Sequence, residues 1–131
     1  MLLLDTCALI WLVDGQEHLT NKAKKAIENN ANNLYISAIS AFEISLKYNK
    51  GLLGLPLPPL QWFRQALQWH NIVELPVDSL IAVQSTALPK IHHDPADRII
   101  IATAIENQMT ILTADKHISS YCTQVNLKVL W

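Results

Sequence analysis

The chain has 131 residues and a formal net charge of −1, and half of its residues are hydrophobic. This length is typical of one domain, so we predict a single domain over residues 1–131. The apolar content is enough for a substantial core and argues against disorder. Cys7 and Cys122 lack the spacing of a zinc site, and we expect both to be free thiols in a reducing cytoplasm.

The N-terminal segment MLLLDTCALIWLV is apolar, but Asp5 interrupts it. It is too short for a membrane-spanning helix, which needs about 20 apolar residues. A signal peptide carries basic residues before its apolar run, and this segment has none there. We therefore expect a buried strand followed by a helix, in a cytoplasmic protein that makes no membrane contact.

Along the chain, short apolar runs alternate with segments of helical period, a pattern typical of an α/β fold with a largely parallel sheet. Strands are predicted at Leu2–Leu4, Leu34–Ser37, Ile72–Leu75, Thr110–Thr113 and Leu127–Leu130. Helices are predicted at Thr6–Val13, Thr20–Asn30, Ala38–Tyr48, Leu60–Trp69, Asp78–Ala87 and Asp94–Asn107, with a helical turn at Lys116–Ser119. Gly51 should end the third helix, and the prolines and glycines of residues 51–60 predict a loop.

Four acidic residues are placed where a parallel sheet commonly binds its ligand. Asp5 and Asp115 come just after the first and fourth predicted strands, Glu43 lies early in the helix after the second strand, and Asp97 lies in the first turn of its helix. Ligands of open parallel sheets bind at the carboxyl ends of the strands, where the strand order reverses. We expect the four carboxylates to lie within about 10 Å of each other, which requires the first and fourth strands to be close neighbours.

Such a cluster of acids indicates a bound divalent cation. Like charges held together raise one another's pKa and oppose folding, and a hard cation such as Mg²⁺ or Mn²⁺ removes that penalty. The cation can also activate a water molecule and stabilise the leaving oxygen in phosphodiester hydrolysis. Such a reaction needs no serine or cysteine nucleophile.

Several of these acids also have a local explanation. Asp94 followed by Pro95 is typical of a helix start, and Asp94 should then face the amide of Ala96 or Asp97 at the rim of the site. The helix dipole favours Asp97 in a first turn, and Asp115 could cap the helical turn that follows it. The metal hypothesis therefore depends on the whole set.

Further residues beside the acids are second-tier candidates. Thr6 and Thr113 could donate hydroxyls to the water shell of the metal or could cap helices, and Arg98 could contact a phosphate or form an ion pair. Lys47 and Lys50 could follow an RNA backbone, although a solvated helix face is the default interpretation.

The aromatic residues of the helices are expected in the core or at an interface rather than in base stacking. They are Trp11, Trp62, Phe63 and Trp69. The apolar loop 51–60 together with Trp62 and Phe63 is a candidate for protein contact.

The segments LLLDTCALIW, SAISAFEISLKYNKGLL, LPKIHHDPADRIIIATA and ILTADKHI resemble those of PIN-domain proteins, in order and spacing, over nearly the whole chain. The VapC-like branch, which includes many toxins of type II toxin–antitoxin pairs, is the most similar. The resemblance implies a three-layer α/β/α fold around a parallel five-stranded sheet, and an endoribonuclease that uses Mg²⁺ or Mn²⁺. It also implies an RNA substrate, a homodimer and a small antitoxin partner.

The family's four acids match Asp5, Glu43, Asp97 and Asp115, and Asp94 matches an additional acid of the H-x-D-P-x-D-R variant. The sequence departs from the family pattern at His93 and Ala96, which bears on substrate choice more than on metal binding.

Other functions fit less well. A receiver-type phosphoacceptor domain needs adjacent acids after an early strand, and a phosphatase of the haloacid-dehalogenase type needs D-x-D, but here only Asp5 stands at that place and Cys7 follows. A catalytically inactive PIN-like binding module remains the main alternative. The near-neutral net charge is unusual for a nucleic-acid enzyme. However, without the four site acids the chain has ten basic residues against seven acidic ones, or +3.

Overall fold

A computed structural model describes residues 1–89 and 94–131 of the chain. His92, which flanks the acidic helix start, and the departure at His93 lie outside the described residues. Within them, the backbone forms one parallel sheet of five strands and seven α-helices.

The strands are β1 (Leu2–Leu4), β2 (Leu34–Ser37), β3 (Ile72–Leu75), β4 (Thr110–Leu112) and β5 (Val129–Leu130). Their order in the sheet is β3-β2-β1-β4-β5, and all neighbours are parallel. The chain therefore builds one half of the sheet outward from β1 and then returns to build the other half from β4. The switch point, where the strand order reverses, lies between β1 and β4.

The helices are α1 (Thr6–Val13), α2 (Asn21–Asn29), α3 (Ala38–Asn49), α4 (Pro59–His70), α5 (Ser79–Ala87), α6 (Pro95–Asn107) and α7 (Lys116–Gln124). A 3₁₀ turn at Gln16–His18 links α1 to α2. Gly51 ends α3 as predicted, because its positive φ of 72° lets its amide and that of Leu52 bond back to Tyr48 and Lys47.

Two hydrophobic clusters cover the two faces of the sheet. In β1, the side chains of Leu2 and Leu4 pack in the cluster that includes residues of α1, α2 and α4. The side chain of Leu3 packs in the cluster that includes residues of α6 and α7. This alternation follows from the two-residue period of a strand, and an uninterrupted apolar β1 is what a sheet covered on both faces needs. The predicted three-layer α/β/α fold with a parallel five-stranded sheet is confirmed.

Two predictions about individual segments need correction. The segment after Asp115 is a nine-residue helix, because Ile118, Tyr121 and Cys122 form an apolar face that packs on α6. Phe63, a candidate for the contact surface, is instead a core residue with 1% of its surface exposed, whereas Trp62 is 6% exposed and also lines a groove beside the loop before α4. No helix in the described part of the chain is long and apolar enough to cross a membrane.

Candidate active site

The site lies at the carboxyl edge of the sheet, where β1 and β4 are direct neighbours. Leu4 and Leu112 are paired at the ends of these strands. Asp5, which follows Leu4, and the segment of Asp115, which follows Leu112, therefore begin at the same edge of the sheet. The expectation that the first and fourth strands lie close together is therefore met. A cleft of about 400 Å³ opens there, and all four predicted acids and Asp94 line it.

Asp5 is the most buried of these acids, with 5% of its surface exposed. One carboxylate oxygen caps α1 by accepting the amide of Ala8 at 2.8 Å, and the other accepts the hydroxyl of Thr113 at 2.5 Å. Burial raises the pKa of Asp5 to about 6, with smaller increases from Asp97 and Asp115, although the two hydrogen bonds act in the opposite direction. Ionised Asp5 is therefore costly for the metal-free fold.

Glu43 extends from α3 into the same cleft, where the Thr6 hydroxyl donates to its Oε1. Thr6 is buried and also hydrogen-bonds Ser40, with the two hydroxyl oxygens 2.9 Å apart. Burial is the main cause that raises the pKa of Glu43, and the negative charges of Asp97 and Asp94 add to it. Thr6 therefore orients the Glu43 carboxylate. Because Thr6 directly follows Asp5 at the start of α1, it also fixes the position of Glu43 relative to Asp5.

Asp94 and Asp97 lie on either side of Pro95 at the start of α6. Asp94 accepts the amides of Ala96 at 2.9 Å and Asp97 at 3.3 Å through one oxygen, so the predicted helix cap is confirmed. Its side chain is exposed and also lines the cleft. Asp97 is half-buried in the first turn of α6 and lines the cleft.

Asp115 caps α7 by accepting the amide of His117 at 2.8 Å. Its own amide donates to Thr113 Oγ1 at 3.0 Å, and that same hydroxyl donates to Asp5. Thr113 therefore connects the two acids that follow β1 and β4. Both sides of this buried hydroxyl face protein groups, so we assign it a positioning role.

The structure brings Asp94 closer to the centre of the site than we expected from its sequence position. Glu43, Asp94 and Asp97 each offer a carboxylate oxygen, and these three oxygens all lie within 4.8 Å of one another. Capping occupies only one oxygen of Asp94, so the local and the functional explanations are compatible. Asp5 and Asp115 lie along the same cleft next to this trio.

The capping acids have a common effect on the electrostatics of the cleft. Asp5, Asp94 and Asp115 are the N-caps of α1, α6 and α7, so three helix N-termini meet at this edge. The partial positive charge of each N-terminus offsets part of the repulsion between carboxylates. Capping of a single helix can explain any one of these three acids, but it does not explain why all three meet at the same edge of the sheet.

The donor set fits a hard divalent cation. All five acids offer oxygen, and oxygens around Mg²⁺ at about 2.0–2.1 Å are separated by roughly 3–4 Å. The spacing of the Glu43, Asp94 and Asp97 oxygens needs only a small adjustment or a bridging water to reach that range. Cys7 also lines the cleft, but burial and the charges of Asp5 and Glu43 raise its pKa, so the neutral thiol is favoured.

Arg98, for which the sequence suggested a phosphate contact or an ion pair, holds backbone carbonyls in the structure. Its guanidinium donates to the backbone carbonyls of Ser85 at 3.0 Å, Leu88 at 2.8 Å and Pro89 at 3.1 Å. A helix end leaves its last carbonyls without intrahelical partners, and these three carbonyls belong to the end of α5 and the two residues after it. Arg98 therefore ties the end of α5 to α6 and does not line the acidic cleft.

Two cleft residues were undervalued from the sequence. Lys47 lines the cleft one helical turn after Glu43, and Trp11 lines it one turn after Cys7. For Lys47 the available signal was its spacing of four residues from Glu43, which places both side chains on the same helix face. Trp11 had no such signal, because Cys7 was not a candidate site residue.

Comparisons with known proteins agree with this architecture. A family model described as the PIN domain matches residues 2–123. Ribonuclease VapC22 of Mycobacterium tuberculosis (strain ATCC 25618 / H37Rv) is 32% identical over 120 residues, which cover 91% of this chain and 90% of the relative.

Solved structures resemble the chain over most of its length. A toxin-antitoxin complex from Klebsiella pneumoniae contains a chain with 26% identity and a TM-score of 0.62, and the match covers 88% of each chain. The crystal structure of VapBC2 from Rickettsia felis bound to a DNA fragment from their promoter gives a TM-score of 0.71 at 14% identity, with 98% of this chain and 96% of that chain covered. At this low identity the second similarity concerns the fold alone.

The fold and the cleft define a class of α/β protein with an acidic centre at the switch point of a parallel sheet. The chain belongs to the PIN-domain family.

Proposed function

We propose that this chain is an endoribonuclease that depends on Mg²⁺ or Mn²⁺, and that it acts as the toxin of a type II toxin–antitoxin pair. The observation that carries the proposal is the gathering of five carboxylates in one cleft, with oxygens of Glu43, Asp94 and Asp97 within 4.8 Å of one another. The similarity to a relative named ribonuclease VapC22 supports the same reaction. We propose that residues 1–131 form one domain that carries this activity.

Within this proposal, Asp5, Glu43, Asp97 and Asp115 are the catalytic acids, and Asp94 joins them as a further metal ligand. When bound, the divalent cation supplies an activated water and stabilises the leaving oxygen of the phosphodiester. Thr6 and Thr113 orient Glu43 and Asp5, and the helix N-termini lower the free-energy cost of holding the acids together. Lys47, at the wall of the cleft, is placed to attract the RNA backbone.

The test combines RNA cleavage with metal binding. Wild-type protein should cleave RNA in Mn²⁺, stop in excess EDTA, and unfold at a higher temperature in Mn²⁺ than in EDTA, because a ligand that binds only the folded state stabilises it. Asp94→Asn retains a capping side chain but loses a charged ligand. It should need about 10- to 100-fold more Mn²⁺ for half-maximal cleavage and should show a smaller thermal gain.

Asp78→Asn is the matched control. Asp78 caps α5 by accepting the amide of Ile81 at 2.9 Å, as Asp94 caps α6, but it does not line the cleft. It should therefore leave the Mn²⁺ dependence unchanged. Wild-type protein that binds Mn²⁺ but cleaves no RNA would favour the inactive binding module, and cleavage that persists in EDTA would contradict the metal-dependent mechanism.

We propose that a groove formed by α4, the loop before it and the end of α1 binds the antitoxin. This groove has a volume of about 260 Å³, and its lining includes Val13, Leu57, Trp62 and Trp69. Trp69 is 82% exposed, and so large an apolar side chain next to an apolar groove is typical of a contact surface. The toxin–antitoxin complex from Klebsiella pneumoniae, 26% identical in the matching chain, supports a partner of this kind.

Co-expression with the product of an adjoining small gene tests this groove. Trp69→Ser should abolish co-purification, because it removes the aromatic anchor of the groove. Leu52→Ser is the control, since Leu52 is 74% exposed in the same region but does not line the groove. Equal co-purification of the two variants and wild type would place the contact elsewhere.

Two further parts of the proposal rest on the family resemblance. We propose a homodimer in solution and a cytoplasmic location, where RNA and a small antitoxin are available.

A further inference from the structure

The wall of the acidic cleft contains one tryptophan, Trp11 of α1, among its lining residues in the described part of the chain. Trp11 lies six residues after Asp5, which corresponds to about 9 Å along a helix axis. Trp62, by comparison, is a core residue with 6% of its surface exposed, whereas Trp11 is only half-buried. Trp11 packs against the same core cluster as Trp62 but buries only part of its ring there, so core packing leaves its cleft side unexplained.

The ring of Trp11 is held in place by one aromatic neighbour close in sequence and by one distant in sequence. Its centroid lies 5.3 Å from that of His18, with an interplanar angle of 31°, and 5.6 Å from that of Trp131, with an angle of 55°. Both contacts are tilted, as aromatic pairs prefer. A ring fixed in this way loses little conformational entropy when a ligand binds to it.

Gly15 gives independent evidence that the neighbouring turn is closed tightly around this ring. Its φ is +130°, a conformation that side chains rarely adopt. A Cβ at this position would lie 3.3 Å from Trp11 Cδ1 and 3.3 Å from His18 Cδ2. The absence of a side chain at Gly15 thus lets the 14–18 segment pack against Trp11 and hold it at the cleft.

The charges of the cleft show which part of a nucleic acid would lie next to Trp11. The acids and their cation would hold the scissile phosphate, and Lys47 is the basic residue among the described residues of the lining. A strand held by its phosphates at these points presents its bases to the remaining wall, which includes Trp11. Every nucleobase has a flat face that can stack on an indole ring.

We propose that Trp11 stacks on a nucleobase next to the scissile phosphate and so helps to set where the enzyme cuts single-stranded RNA. This inference rests on the proposed nuclease function and adds to it a residue that positions the substrate. Trp11 is not a metal ligand, so its removal should leave the metal centre intact.

The test uses Trp11→Leu, which removes the aromatic face but stays apolar, and Trp11→Phe, which keeps a smaller aromatic face. With an RNA oligomer in Mn²⁺, Trp11→Leu should raise KM about 10- to 100-fold and weaken the preference for the base beside the cut. Trp11→Phe should recover most of both, and all variants should keep the wild-type thermal gain from Mn²⁺. Phe42→Leu is the control, since Phe42 is an exposed aromatic residue of α3 outside the cleft.

A second measurement separates this inference from the nuclease function. An RNA oligomer carrying 2-aminopurine, whose fluorescence falls on stacking, is titrated in Mn²⁺ into Asp97→Asn protein, which should leave the RNA uncut. Quenching should occur with Trp11 present and be lost with Trp11→Leu in the same background. Equal quenching with and without Trp11 overturns the stacking role, even if wild-type protein cleaves RNA. Trp11-dependent quenching without cleavage by wild-type protein supports the stacking role and contradicts the nuclease function alone.

Discussion

Replacing Asp5 with asparagine should lower kcat/KM for RNA cleavage by more than about 100-fold, the largest effect that we expect from a single substitution. Loss of residues that only orient a metal ligand typically costs about 10- to 100-fold, and loss of a site carboxylate should cost more. Asparagine has nearly the shape of aspartate and is an equally good helix cap, so the hydrogen bond to the Ala8 amide can remain. Its NH2 group replaces the oxygen that accepts the Thr113 hydroxyl, so that hydrogen bond is lost, but the loss of activity should come mainly from the charge.

The measurement is single-turnover cleavage of an RNA oligomer in Mn²⁺, with circular dichroism to establish that the variant is folded. Asp14→Asn serves as a control, because Asp14 is an exposed acid at the other end of the same helix. Cleavage by Asp5→Asn at the wild-type rate would remove Asp5 from the catalytic set. It would leave the PIN-domain fold unaffected.

The same substitution should stabilise the metal-free protein at neutral pH, by an amount on the order of a few kcal/mol. The pKa of Asp5 is raised from 3.8 to about 6 in the folded protein, so the folded state holds the proton more tightly than the unfolded state. Stability from this group is present at low pH and is lost as the pH rises through the interval from about 4 to 6. Asparagine carries no such titration, so its advantage over aspartate should appear across that interval.

Urea unfolding in EDTA at a series of pH values measures this difference. The advantage of Asp5→Asn should be below about 1 kcal/mol at pH 4 and reach its full value by pH 7.5. Asp78→Asn should show no comparable gain, because Asp78 caps its helix in an exposed position. A less stable Asp5→Asn protein at pH 7.5 would show that the Asp5 carboxylate is a structural group. Stabilisation together with lost activity is instead expected when a charge is kept for function.

The sequence by itself was sufficient to predict the order of the helices and strands, and to identify the acids that follow strands or begin helices. The hydrophobic period of a segment, its capping residues and the composition of its loops depend on interactions within a few residues. Such interactions are visible in a single segment of sequence. For this reason the bounds of α1, β2 and β3 are as predicted, and Asp94 was correctly assigned as a helix cap. The resemblance to PIN-domain proteins rested on the same short segments.

Only the tertiary structure decided which side chains from distant segments lie next to each other. The position of β1 between β2 and β4 places Thr113 against Asp5 although 108 residues separate them, and it places Asp94 with Glu43 and Asp97. In the same way, Arg98 was found on the end of α5, and Trp11 at the cleft. Local sequence contains no information on which strand or helix packs beside another, because that choice depends on the burial of apolar faces across the whole domain. Contacts between segments distant in sequence are therefore determined by the assembled sheet and its two helical layers.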